Sequence, residues 1–183
     1  MTGIVSFGGY VPRLRLQRKA IAAANAWIAP GQGAGAKGER SMANWDEDAV
    51  TMAVEAARDC LPGANPLMSR KHIDALFLGS TTLPFADRLN AGIVASALSL
   101  GANVRGADIT GSQRAGLSAL LAAFDAVSAG SASHALVAAA DTRKTRAASP
   151  AELNYGDGAA AFEVGKSNVI ARLLGTASST IDF

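Results

Sequence analysis

The chain predicts an α/β fold built on a mixed, mostly parallel sheet. Short apolar strands alternate with helical stretches through most of the 183 residues, which is the pattern of parallel strands joined by helical crossovers. Residues 135–140 are apolar throughout, as expected of a strand covered on both faces. Hydrophobic residues make up 49% and charged residues 17%, ample for one buried core and too apolar for a disordered chain.

Taken in order, residues 3–10 read as a strand closed by Gly8, Gly9 and Pro12. Residues 16–27 have helical character behind a basic stretch. Residues 30–37, PGQGAGAK, form a loop by composition. Asn44 or Asp46 is placed to cap the next helix, with Asp46, Glu47 and Asp48 at the positive end of its dipole. Val50, Val54, Ala57 and Leu61 form its apolar face, and Pro62-Gly63 ends it. Strands follow at 73–78 and 106–110, with helices at 90–100 and 112–129. After the strand at 135–140, strands at 159–164 and 169–174 are joined by Gly165-Lys166-Ser167 and add an antiparallel edge hairpin. The helix over 115–129 is Ala-rich and apolar nearly all round, which suits burial between layers. With helices expected on one face of the sheet, the other face is left to a partner.

Several function classes are disfavoured at once. A formal charge of +2 is too small to argue for nucleic acid or an anionic membrane, and 5% aromatics offer no stacking platform for single strands. One Cys excludes an internal disulfide, and with only two His there is no zinc ribbon and no metal-ligand motif. The N-terminus lacks the pattern of a secretory signal. No apolar run reaches the ~18 residues of a membrane helix. The cytoplasm is the expected location.

Most short motifs have bland readings. Gly33-Ala-Gly35-Ala-Lys-Gly38 matches G-x-G-x-x-G, but it follows a helix and a proline rather than a strand, so it reads as loop. His72 and His134 sit beside strand starts and read as strand-edge residues. Arg13, Arg15, Arg18 and Lys19 form one basic cluster, and Arg143, Lys144 and Arg146 another. Solvated faces are the ordinary reading; the sharper one is contact with the phosphates of a coenzyme. The informative stretch is ADITGSQRAGLSAL at 107–120, where a strand passes through Gly111-Ser112 directly into a helix. Backbone N–H groups and the helix dipole converge there, a setting that activates a nucleophile and holds a developing oxyanion. The residue placed there is Gln113.

The segments GIVSFGGYVPRLRL, GERSMANWDEDAVTMAVEAA, IDALFLGSTT, ADITGSQRAGLSAL, VAAADTR and YGDGAAAFEVG follow one another as they do in the thiolase superfamily. The chain most resembles hydroxymethylglutaryl-coenzyme A synthase-like and ketoacyl synthase III-like proteins. The resemblance implies a thiolase-like fold in which two βαβαβαββ halves stack as five layers. Residues 1–183 would be the N-terminal half, with the C-terminal half absent from this chain and a complete member roughly twice as long. It also implies that Gln113 stands at the position of the catalytic Cys, and Thr81 at that of the proton-transfer acid. The partner His and Asn or second His would come from the other half. Gly156, Asp157 and Gly158 resemble the family's Gly-rich turn, with Asp157 structural. Cys60 lies far from the motif and reads as packing.

By the same resemblance the substrate is an acyl-coenzyme A thioester and no other cofactor is needed. The expected partners are a second copy, a C-terminal half or another thiolase-like subunit. A Gln amide is no nucleophile at neutral pH, so three readings stand. They are an acyltransferase component with altered chemistry, a non-catalytic thiolase-fold partner, and a decarboxylase-type enzyme using Gln for enolate stabilisation.

Overall fold

The computed structural model describes residues 1–61 and 70–179. The first half contains β1 (Gly3–Tyr10), β2 (Leu14–Gln17), α1 (Arg18–Ala24), a 3₁₀ segment (Pro30–Gly35), β3 (Glu39–Met42), α2 (Ala49–Cys60), β4 (Ala75–Gly79) and α3 (Asn90–Ala97). The second contains β5 (Arg105–Ile109), α4 (Ala115–Ser128), β6 (Ala135–Asp141), α5 (Pro150–Asn154), β7 (Gly158–Gly165) and β8 (Ala171–Arg172). Six strands form one sheet in the order β5-β4-β6-β7-β1-β8, and β2 pairs with β3 beside it. Strand β4 runs parallel to β5 and β6, while β6–β7, β7–β1 and β1–β8 are antiparallel. Strands β5, β4, β6 and β1 therefore point one way, and the expected α/β class with a mixed sheet holds.

Alternation along the strands explains why both faces are buried. Leu76, Leu78, Leu136, Ala138, Ala140 and Ala161 join Met52, Ala53, Ala56 and Val94 of α2 and α3 in one cluster. The residues between them, Ala75, Ala135, Val137 and Val164, join Ala119, Ala123, Phe124 and Val127 of α4 in another. Strand β6 faces apolar neighbours on both sides, which is why its sequence is a continuous apolar run. Glycine sets how closely the layers approach. A Cβ on Gly8 would collide with the Ala56 and Cys60 backbone of α2.

Several sequence expectations are corrected. Helices cover both faces of the sheet rather than one. Helix α4 covers its face incompletely, leaving Leu117 52% and Phe7 67% exposed, so α4 is not buried all round. Helical character from residue 16 gives way to β2, because Leu14 and Leu16 alternate with Arg15 and Gln17 and pair with β3. The loop at 30–37 contains the 3₁₀ segment, and the Gln32 side chain ties it to the Ala148 carbonyl at 2.6 Å.

The edge strand also differs. Both edges of β7 are taken by β6 and β1, so the returning chain passes β7 and pairs with the free edge of β1 over Ala171–Arg172 only. Helix α4 starts at Ala115 rather than at 112, because the Ser112 carbonyl and Oγ engage the N–H groups of Ala115 (2.9 Å) and Arg114 (3.2 Å) in a turn. Helix α3 ends at Ala97, and Ser99 adopts a left-handed φ of 57°. Pro62-Gly63 lies outside the described residues.

The cap of α2 is Asp48, not Asn44 or Asp46. Its carboxylate accepts from Thr51 N at 2.8 Å while Thr51 Oγ1 accepts from Asp48 N at 2.8 Å, a reciprocal box. Helix α3 is capped from outside its own segment. The Asp108 carboxylate on β5 accepts from Asn90 N and Ala91 N, both at 2.7 Å.

Asp48→Ala lowers stability to urea by about 1 kcal/mol, the ordinary worth of a cap, whereas Asp46→Ala changes it by less than about 0.5 kcal/mol. Asp74 accepts from Ser133 N (2.6 Å) and His134 N (3.2 Å), and the Ser133 bond leads in holding its carboxyl below the ordinary range. A depressed folded pKa stabilises above the unfolded value of about 3.9 and is lost as pH falls through the folded value. Asp74→Asn therefore destabilises the protein at pH 7 and flattens its acid unfolding below about pH 4, read by circular dichroism.

Candidate functional site

An open cavity of about 400 Å³ lies where the C-terminal ends of β4 and β6 meet the first turn of α4. Such strand ends are where open α/β sheets bind ligands. Gly79 ends β4 against the helix: a Cβ there would stand 2.7 Å from the Ala115 carbonyl oxygen and from Gly116 Cα. Gly116 in turn faces Ala139 of β6, whose Cβ an added methyl would meet at 2.9 Å. Gly111, at φ 84°, makes the turn that L-residues resist. The chain is thereby bent so that Gln113, exposed and without a hydrogen bond to the described residues, lines the cavity beside Ala115 and Gly116. The first helical N–H groups lack intrahelical acceptors and carry the positive end of the dipole.

The opposite wall is Gly156, Asp157 and Gly158, at the start of β7. Asp157 is a tie as well as a wall. Its Oδ2 accepts from Ala43 N at 2.8 Å and its carbonyl from Ser41 Oγ at 2.6 Å, clasping β3 to the rim. A side chain at Gly156 would press on Ser41 Oγ at 2.6 Å. The structure thus brings Gln113 together with the Gly-rich turn, across 43 residues of sequence (156 − 113).

Thr81 stands one step away. Its hydroxyl (2.9 Å) and backbone N–H (2.7 Å) both donate to Asp141 Oδ1, which also accepts from Ser80 Oγ (3.1 Å) and Thr82 Oγ1 (3.0 Å). Asp141 itself lines the cavity. In the sequence Asp141 stands within VAAADTR, with no role implied for it there. The available signal was a carboxylate closing an otherwise apolar strand.

The two basic clusters fare differently. Arg18 is structural, its guanidinium donating to the carbonyls of Leu153 (2.7 Å) and Glu39 (2.5 Å). Arg143 and Lys144 line a recess with Arg40 and Trp45 that shares Asp157 with the cavity. Arg143 lies over the Tyr155 ring, 4.5 Å from its centroid. Arg40 Nε is buried without a partner among the described residues, and Trp45 is 92% exposed.

The remaining candidates lie elsewhere. Cys60 is fully buried at the end of α2, 3.4 Å from Ser6 Oγ. Burial pushes its thiol up to about 11. His72 and His134 are not in the cavity. They precede β4 and β6 at the other end of the sheet, and both contact Glu163.

A strand–turn–helix that presents one residue in a cavity, beside a Gly-rich turn, is the arrangement that the sequence resemblance to the thiolase superfamily implies. No family model matches the chain. The hydroxymethylglutaryl-CoA synthase of Archaeoglobus fulgidus is 37% identical over 190 residues, covering 100% of this chain and 52% of that protein. The crystal structure of a priming β-ketosynthase from a polyketide pathway is 27% identical and superposes at a TM-score of 0.76, over 92% of this chain and 51% of that one. An HMG-CoA synthase solved in complex with CoA, 23% identical, shares the fold at a TM-score of 0.75 over 91% of this chain and 42% of its own. The chain belongs to the thiolase superfamily, as a hydroxymethylglutaryl-CoA synthase-like N-terminal half. It spans about half the length of the curated relative it matches.

At pH 7.5 iodoacetamide is expected to leave the buried Cys60 of the native chain unmodified while labelling it fully in urea. Rapid labelling of the folded chain at neutral pH, read by intact mass, contradicts this placement.

Proposed function

We propose that the chain is the acyl-coenzyme A-binding component of a thiolase-superfamily acyltransferase, in which no covalent thioester forms on this half. The observation that carries the reading is the position of Gln113, at the N-terminal turn of α4 in the cavity. That place suits a group that engages a thioester carbonyl. A thiolate there attacks it; an amide donates a hydrogen bond to its oxygen, alongside the helix N–H groups. The names of the curated relatives and the CoA complex of the synthase that shares the fold support a coenzyme A thioester as ligand. The recess lined by Arg40, Arg143 and Lys144 adjoins the cavity and offers cations for the phosphates. The exposed Leu117 and Phe7 beside α4 support assembly with a C-terminal half, a second copy or another thiolase-like subunit.

A second reading is favoured by the same hydrogen bonds. Gln113 has free donors, and Thr81, at the position of the family's acid, commits its hydroxyl to Asp141. Oxyanion stabilisation remains, while Gln113 offers no nucleophile and Thr81 no carboxyl group. That combination suits decarboxylation of a malonyl-type thioester through an enolate, or binding without turnover.

Incubation with acetyl-coenzyme A is expected to leave the intact mass of the chain unchanged. In the native assembly, Gln113→Cys is expected to create a thiol titrating below the ordinary ~8.5 and to become acylated at that position. An acyl adduct on the unmodified chain overturns the proposal. Carbon dioxide release from malonyl-coenzyme A selects the decarboxylase reading, and failure of the Cys variant to acylate selects the binding partner.

A further inference from the structure

Glu163 occupies a position on β7 that belongs to the core. Ala159 and Ala161, four and two residues before it on the same face, pack into the cluster under α2, and Glu163 is itself only 6% exposed. A carboxylate there needs a cationic or strongly donating surround. Two imidazoles supply it from distant segments. His72 Nε2 lies 2.8 Å and His134 Nδ1 2.7 Å from the same oxygen, Oε1. The other oxygen, Oε2, accepts from Ser6 Oγ at 3.2 Å.

The backbone is arranged for this convergence. A bulge at Val5 shifts the register of β1 so that Ser6 comes opposite Glu163. Gly165 leaves room for the imidazole: a Cβ there would stand 3.2 Å from His134 Nδ1. The Asp74 carboxylate holds the backbone of His134 at 3.2 Å. The rings of His72 and His134 meet edge to face, their centroids 4.7 Å apart.

We infer that His72, His134 and Glu163 form a site for a divalent transition-metal cation, with zinc(II) favoured by the ligand set. One ligand atom from each lies within 4.8 Å of the others. Ligands around tetrahedral zinc sit about 2.0–2.2 Å from the ion and hence about 3.3 Å from one another, so side-chain shifts of about half an ångström to an ångström seat the ion. Two imidazoles and one carboxylate select zinc and its first-row neighbours over magnesium or calcium. Ser6 orients the carboxylate from behind, as outer partners of metal ligands do. Three protein ligands leave a position for water, and His72, 39% exposed, marks the side open to solvent. The cavity of Gln113 is at the other end of β6, roughly 20 Å away along the strand, so this site is separate from it. The ion would staple the approaches to β4 and β6 onto β7.

The test is calorimetric titration of the full, untagged chain, freed of metal by a chelator, with zinc(II). Cobalt(II) absorption reports the ligand field. The expected result is one equivalent bound at micromolar affinity or tighter, with the intense visible bands of four-coordinate cobalt, and a raised Tm on zinc addition. His72→Ala, at a partly exposed position that leaves the core intact, is expected to weaken binding about 100-fold or more, and Ser6→Ala about tenfold. Glu163→Gln abolishes the cobalt bands if the variant folds; if it does not, His72→Ala decides. Binding weaker than about 1 mM, or an affinity unchanged in His72→Ala, overturns the inference and leaves a hydrogen-bonded His–Glu–His clamp.

Discussion

The cavity depends on the near-contact of two backbones, where β4 ends at Gly79 and α4 begins at Ala115 and Gly116. An L-side chain at Gly79 would need space already filled by the first turn of the helix, so only glycine permits this approach. The turn through Gly111 can then deliver Gln113 over the strand ends. The rest of the site is hung on that contact. The Gly156–Gly158 wall is set opposite by the pairing of β7 with β6, and Asp141 by the end of β6.

Polar ties then fix the rim. Asp157 holds β3, Asp141 gathers Ser80, Thr81 and Thr82, and Arg18 reaches across to Leu153. These bonds join segments more than fifty residues apart in the chain, such as Thr81 and Asp141, with a separation of 60. They order the loops around a cavity that the apolar core alone would leave loose. The side chains of the candidate site come from strand ends and turns, while the core residues serve to hold those ends in place.

The proposed reading makes this a site that holds a thioester oxygen without a group to attack it. Gln113 lines the cavity at the first turn of α4. Thr81 donates its hydroxyl to Asp141. On the proposed reading, the chemistry of this half would be binding and oxyanion stabilisation, with any further groups supplied by an assembled partner. In that proposed assembly, the incompletely covered α4 face, where Leu117 and Phe7 are exposed, would receive the partner.

Much of this was legible in the sequence because the signals are local. Apolar alternation and runs marked β4, β6 and β7, and the ADITGSQRAG stretch marked the strand–turn–helix that carries Gln113. Its resemblance to the thiolase superfamily brought Thr81 and the Gly156–Gly158 turn with it. Elements decided by partners were not legible. β2 and β3 exist because each satisfies the other's backbone, and β8 lies on β1 because β7 has no free edge. Asp48 rather than Asp46 caps α2 because Thr51 completes the box. His72, His134 and Glu163 are separated by 62 and 29 residues, and neither spacing nor composition connects them. Only the pairing of β6 with β7, and the packing of the turns that precede β4 and β6, places their ligand atoms within reach of one another. Local sequence sets which segments prefer which backbone, but side chains meet at a site only after long-range burial has set the strand order.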